Sequence, residues 1–166
     1  ENGVYFKVTA SFLEVYNENI RDLLSAANVP DEYLDLREDP IKGPMVAGIT
    51  EVDVRTSGEI MQLLHRGNRK RTQAPTHANE VSSRSHAVLQ VTIEGRDRAP
   101  GVVENIKVGK LSLIDLAGSE RAANTHNRGA RLVEGANINR SLLALGNCIN
   151  ALGEKGNKGN FVPYRD

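Results

Sequence analysis

The residues best equipped for chemistry lie in Leu111-Ser-Leu-Ile-Asp115-Leu-Ala-Gly118-Ser-Glu120. An apolar run with strand character delivers a carboxylate at its C-terminal end, where α/β sheets place ligands. A glycine follows three residues later. Phosphate-hydrolysing folds use this pairing for a physical reason. The aspartate holds Mg²⁺, directly or through water, and the glycine lets a backbone N–H approach the terminal phosphate with no Cβ in the way. Taken alone, Asp-x-x-Gly also describes any strand that ends in a turn. A second group is Asn79-Glu-Val-Ser82-Ser83-Arg84-Ser85-His86. Clustered hydroxyls can ligate Mg²⁺ and position a water, and Arg84 beside them can clamp a carboxylate or a phosphate. A solvated loop whose hydroxyls cap backbone groups has the same composition. His86 stands in no metal-ligand spacing.

These groups need elements to position them. Val4, Phe6, Val8, Ala10 and Phe12 alternate with polar residues, which predicts a strand over Val4–Tyr16. Asn17-Glu-Asn19 reads as a turn, followed by one short helical turn at Ile20, Leu23 and Leu24. Residues 25–50, with their prolines and glycines, read as loop with short strands at Tyr33–Arg37 and Met45–Thr50. Thr56 or Ser57 caps a helix with Ile60, Met61, Leu63 and Leu64 inside, fading near Gly67. Arg66, Arg69, Lys70 and Arg71 read as its solvated end, since no aromatic lies beside them for stacking on bases. Residues 72–86 form a polar loop, Val88–Ile93 a strand, and Gly95–Gly101 a turn. Lys110–Leu116 is apolar enough for a strand buried on both faces. Ile138, Leu142, Leu145, Ile149 and Leu152 make one stripe on a final helix from about Glu134, suited to core packing rather than a coiled coil. Gly153 and the glycines after it end that helix. Strands alternate with helices, so the class is α/β.

The 166 residues fit one domain or part of a larger one. No stretch approaches ~20 consecutive apolar residues, so no membrane-spanning helix is expected. The first residues show no secretory pattern of a basic run before an apolar one. Cys148 is the only cysteine, so neither an internal disulfide nor a cysteine-rich zinc site is available, and a reducing, intracellular setting is expected. The 21 basic and 21 acidic residues balance, which gives no global pull toward nucleic acid. Their distribution is uneven: residues 1–54 carry 4 basic and 11 acidic groups, residues 107–166 carry 9 and 5. With 8 basic and 5 acidic groups in residues 55–106 as well, a cationic C-terminal half could face an anionic partner, or neighbouring segments could neutralise one another.

Five strings in the same order resemble the kinesin motor domain: Ser11–Leu24, Asn79–His86, Asp115–Glu120, Glu134–Leu152 and Val162-Pro-Tyr-Arg-Asp166. The phrases around Ala87–Ile93 and Leu142–Leu152 look most like the branch that contains microtubule-depolymerising members. The resemblance implies a P-loop NTPase-type mixed sheet flanked by helices, here truncated, and a partial motor domain over residues 1–166. Asn79–His86 resembles switch I, where Asn79 and Ser82 would contact nucleotide, Ser82 the γ-phosphate and attacking water, and Ser83 would ligate Mg²⁺. Asp115–Glu120 resembles switch II, where Asp115 would hold Mg²⁺ through water and the Gly118 N–H would sense the γ-phosphate. Arg84 and Glu120 would form a salt bridge that closes the two switches, a bistable latch. The helix from Glu134 resembles the relay helix on the microtubule. Arg121, Arg128, Arg131, Arg140, Lys155, Lys158 and Arg165 would then face acidic tubulin, with ATP and Mg²⁺ as cofactors of the complete motor and the microtubule cytoskeleton of the cytoplasm as its place.

The family binds phosphate with Gly-x-x-x-x-Gly-Lys-Ser/Thr. The only Gly-Lys here is Gly109-Lys110, and Leu111 follows it. The resemblance implies that the phosphate loop lies upstream of Val4–Tyr16 and a further helix beyond Asp166, so the chain corresponds to the middle of a motor. Alone it is expected to hydrolyse no ATP, because the lysine and N–H nest that hold the phosphates are absent from these residues. A non-catalytic, degenerate microtubule-binding module is the alternative. A GTPase fits worse: the nearest string to the guanine-reading Asn-Lys-x-Asp is Asn157-Lys-Gly-Asn160, whose terminal amide cannot accept two bonds as a carboxylate does. Direction of travel, cargo and oligomeric state are not encoded in these residues.

Overall fold

Alternation along the first strong segment builds β1 (Val4–Tyr16), with Ala10, Phe12 and Glu14 buried on one face. The computed structural model describes residues 4–26, 32–40, 43–72, 83–97, 106–119, 130–153 and 161–164. They fall in two compact units, Glu1–Leu116 and Ala117–Asp166.

In the first unit β6 (His86–Asp97) lies antiparallel along β1 from Val4↔Asp97 to Val15↔His86. The other edge of β1 carries β2 (Asn19–Asp22) and β5 (Val52–Asp53). β7 (Ile106–Asp115) joins β6, so the strands run β2-β1-β6-β7. β3 (Leu36–Asp39) and β4 (Gly43–Val46) form a separate pair. Every one of these pairings is antiparallel.

The helix α1 (Ser57–Thr72) starts at the expected cap. Thr56 Oγ1 accepts from the Glu59 N–H at 3.2 Å, while Glu59 Oε2 accepts from the Arg55 N–H at 2.7 Å. The first bond satisfies a donor that the first turn leaves free, and the second ties the residue before the cap back to the helix. α1 does not fade near Gly67 but continues to Thr72. Its inner stripe is Ile60, Leu63, Leu64, Gly67 and Arg71, while Met61, expected inside, is exposed. The core comprises Ala10, Phe12, Leu23, Leu24, Val54, Leu63, Ala87, Leu89 and Val91. Each large member contributes about 1.5–3 kcal/mol by leaving water.

Several expectations change. Ile20 belongs to a strand, not a helical turn. Asn17 and Glu18 both take the left-handed conformation, with φ of 49° and 67°. Two such residues make the tight turn whose twist returns a strand onto its neighbour. Asp22 then fixes the exit: its carboxylate accepts from the Leu24 N–H at 2.7 Å and the Thr50 N–H at 2.8 Å. The two short strands after it lie at Leu36–Asp39 and Gly43–Val46, displaced from the predicted spans. β6 passes through Gly95 rather than turning there. β7, expected to be buried on both faces, is exposed over all ten residues. It stands at the end of the strand order, and α1 packs on β1, two strands away.

In the second unit α2 (Ala130–Gly153) contains the predicted helix and begins four residues earlier than Glu134. Ile138 is buried, but Leu145, Ile149 and Leu152 of the same stripe are exposed. Core packing of the whole stripe, as the spacing suggested, is therefore not seen. The Cys148 thiol donates to the Pro163 carbonyl at 3.2 Å. No helix among the described residues is long and apolar enough to cross a membrane. Nor do the described residues group three or more His, Cys, Asp or Glu as a metal site.

Candidate functional site

Antiparallel pairing places the start of β6 beside the end of β7: Ala87 faces Asp115. The turn Ser83–Ser85 therefore leads into the strand that lies alongside Asp115. Arg71 joins them. It ends the inner stripe of α1, so the helix delivers it to the buried face of the sheet rather than to water. The residue is 4% exposed. Its Nη1 donates to Asp115 Oδ2 at 2.7 Å, its Nε to Ser85 Oγ at 3.1 Å, and its Nη2 to the Ser85 carbonyl at 2.7 Å.

Behind this lies Glu14, fully buried on β1. Glu14 Oε2 accepts from Arg21 Nη1 at 3.3 Å, and Glu14 Oε1 lies 3.6 Å from Arg71 Nε. Oε1 accepts no hydrogen bond from the described residues. Burying ions costs several kcal/mol each, which is offset only when partners surround them. Here the buried Glu14 lies between Arg21 and Arg71. Arg71 is thus shared between a buried carboxylate and a surface one, since the Asp115 side chain is 70% exposed. One oxygen of Asp115 is held, and the rest of the group faces solvent.

The reading of Arg71 as part of a solvated helix end is corrected by this burial. Its neighbours are also engaged: Arg66 Nη2 donates to the Leu24 carbonyl at 3.2 Å and Lys70 Nζ to Ser25 Oγ. Arg69 is exposed. The signal was present in the spacing, because Arg71 follows Ile60 and Leu64 at helical intervals of eleven and seven residues.

His86 opens β6 and is half-buried. Burial holds its pKa below the usual imidazole value, and the Arg71 charge adds to that effect; Glu18 and Asp115 oppose it. The imidazole is therefore biased toward its neutral form beside the arginine.

Of the residues singled out by sequence, Ser83 and Arg84 lie half-buried on the turn before β6. Gly118 belongs to the second unit, half-buried after the buried Ala117. Arg140 is exposed on α2, and Arg131 lies on the same helix. Asn79, Ser82, Glu120, Arg121, Arg128, Lys155, Lys158 and Arg165 fall outside the described residues, and with them the Arg84–Glu120 pair. The described donors that point to chemistry are a hydroxyl, Ser83, and a carboxylate, Asp115. Such hard oxygens suit Mg²⁺ rather than a softer metal.

The kinesin motor-domain family matches residues 1–166 of the chain. Human kinesin-like protein KIF19 is 58% identical over 165 residues, which are 99% of this chain and 16% of that protein. Human KIF18B is 52% identical over 162 residues, 98% of this chain and 18% of that protein. Arabidopsis thaliana KIN-8B is 52% identical over 97% of this chain and 19% of its own length. The solved structure of KIF14 with ADP in complex with a microtubule superposes with a TM-score of 0.83 at 40% identity, covering 98% of this chain and 47% of that one. The AMP-PNP, two-heads-bound KIF14 dimer on a microtubule gives 0.79 at 39%, covering 96% and 46%. The chain thus spans under a fifth of these curated relatives and about half of the solved motor chains. With the whole of its length matched, and with a fold shared at 40% identity, the chain belongs to the kinesin motor-domain family.

Proposed function

We propose that this chain is the switch-bearing and track-binding portion of an ATP-hydrolysing motor that works on microtubules. The observation that carries the reading is the joining of Ser85 and Asp115 by Arg71. It couples the end of the hydroxyl-bearing segment to the end of the acid-bearing strand. Family membership and the microtubule-bound KIF14 neighbours support the partner and the nucleotide.

Ser83 and Asp115 would hold Mg²⁺, the latter through water, and Asn79 and Ser82 would contact the nucleotide. When bound, the metal ion neutralises charge on the transferred phosphoryl group. Ser82 would orient the attacking water and the Gly118 N–H would meet the γ-phosphate. Arg84 and Glu120 would pair when both segments close. Arg71 restrains one oxygen of Asp115 and leaves the other face of the carboxylate toward solvent. The solvent-facing part of the carboxylate would be the part free to accept a metal-bound water. Arg121, Arg128, Arg131, Arg140, Lys155, Lys158 and Arg165 would supply the cationic surface for acidic tubulin, with contacts that weaken as salt rises.

The test uses the complete motor, including the upstream segment in which the phosphate-binding glycine-lysine loop is expected. Asp115→Asn and Ser83→Ala should each lower microtubule-stimulated ATP hydrolysis about 100-fold or more, the scale of a lost electrostatic partner. Undiminished turnover in both variants would overturn the reading. A complete chain that co-sediments with microtubules yet hydrolyses nothing would favour the non-catalytic module instead.

A further inference from the structure

We infer that Gly67 is a positioning residue for the switch chemistry, acting through Arg71. This rests on the function proposed above. Gly67 lies on the inner stripe of α1, one turn before Arg71. A Cβ at this position would stand 2.2 Å from Phe12 Cδ1, 2.6 Å from Phe12 Cε1 and 3.3 Å from Leu23 Cβ. The first two distances are far inside van der Waals contact, so something must move.

The Phe12 ring has little room to move. It is 3% exposed and belongs to the core cluster with Ala10, Leu23, Leu63 and Leu89. Close-packed interiors resist such displacement. The helix must therefore lift from β1. Glycine is not needed here for backbone conformation, since the residue lies inside a regular helix, where glycine is disfavoured against alanine. The residue is explained by space.

What that space secures is found four residues on. Gly67 and Arg71 share a helix face, so lifting the helix at Gly67 carries Arg71 with it. Arg71 makes three hydrogen bonds of 2.7, 3.1 and 2.7 Å to Asp115 and Ser85. Such bonds weaken steeply within a few tenths of an ångström of stretch and misalignment. Arg66 and Lys70 hold the outer flank of the same turn to Leu24 and Ser25. The helix end is thereby set at one distance from the sheet, with Gly67 as the spacer of zero width.

The experiment compares Gly67→Ala, Arg71→Ala and the double variant in the complete motor. Two readouts are taken: the Mg²⁺ concentration that half-saturates ATPase, and the melting midpoint after nucleotide and Mg²⁺ are removed by apyrase and chelator. Gly67→Ala should raise the Mg²⁺ midpoint and lower kcat by about tenfold or more, the scale of a small misplacement near reacting atoms. Adding Arg71→Ala to Gly67→Ala should change either quantity little, and the two melting shifts should fall short of their sum. Phe12→Val, which removes the atoms in the way, should restore the arginine-dependent Mg²⁺ midpoint to Gly67→Ala. If Gly67→Ala alone does not fold, Phe12→Val/Gly67→Ala is compared with Phe12→Val, and an unequal Mg²⁺ midpoint overturns the inference. It is also overturned by wild-type behaviour of Gly67→Ala, or by losses in the double variant that simply multiply. Should Asp115→Asn and Arg71→Ala both leave the Mg²⁺ midpoint unmoved, the proposed function fails, while additive melting shifts alone would count against Gly67.

Discussion

The two units of this chain carry apolar patterns of similar clarity and treat them in opposite ways. In the first, the alternation of β1 and the stripe of α1 meet: Phe12, Leu63 and Leu89 end within one buried cluster. In the second, the stripe of α2 leaves Ile149 and Leu152 more than half exposed. Periodicity states which face an element offers. Whether that face is covered depends on what else is present to lie on it.

Substitutions should read this contrast directly, and the largest effect is expected where the pattern is satisfied. Phe12→Ala removes a ring from a closed core and should cost ~4 kcal/mol in urea unfolding of the chain. A loss under half of that would mean the cluster is not the centre of stability. Arg71→Ala leaves Glu14 with Arg21 as its partner among the described residues and should cost ~3 kcal/mol. Arg71→Lys should recover little, because the three N–H groups of an ammonium radiate from one atom and cannot span acceptors that Nε, Nη1 and Nη2 reach from separate positions. Full recovery would show that charge alone matters.

A smaller effect is expected from pH. The folded pKa of His86 lies below its usual 6.5. Between the two values the unfolded chain binds more protons, so stability rises with pH there. It is full above about 6.5 and is lost as pH falls below that value. Melting at pH 7.5 and 6.0 should show the decline, and His86→Asn should flatten it. The smallest effect belongs to the open helix face: Ile149→Ala should change stability by no more than about 0.5 kcal/mol. A loss near that of Phe12→Ala would show the stripe to be covered in solution.

Much of the positioning was readable from residues. Alternation located β1, Thr56 located the start of α1, and an apolar run ending in Asp115 located the carboxylate. What escaped was set by tertiary context. Arg71 is one of four clustered cations, a composition that predicts a solvated helix end, although its place on the apolar stripe points inward. Ile20 leaves the expected helical turn because the turn before it takes positive φ at both Asn17 and Glu18, the second a residue that seldom does, and so returns the chain as a strand. β7 was read as doubly covered because an apolar strand does not announce its neighbours. Eight of the candidate site residues, Asn79 and Ser82 among them, lie outside the described segments.

The bare rim of β7 has a consequence for how such a chain behaves at high concentration. Ile106, Val108, Leu111, Leu113 and Ile114 are each about half exposed or more along a ten-residue strand at the end of the sheet order. A long, greasy rim of this kind is a template for stacking with a second molecule. Lys107 and Lys110 sit on it with opposite parity, one ammonium toward each face of the strand. Like charges at these two positions would oppose the stacking of a second copy along the strand.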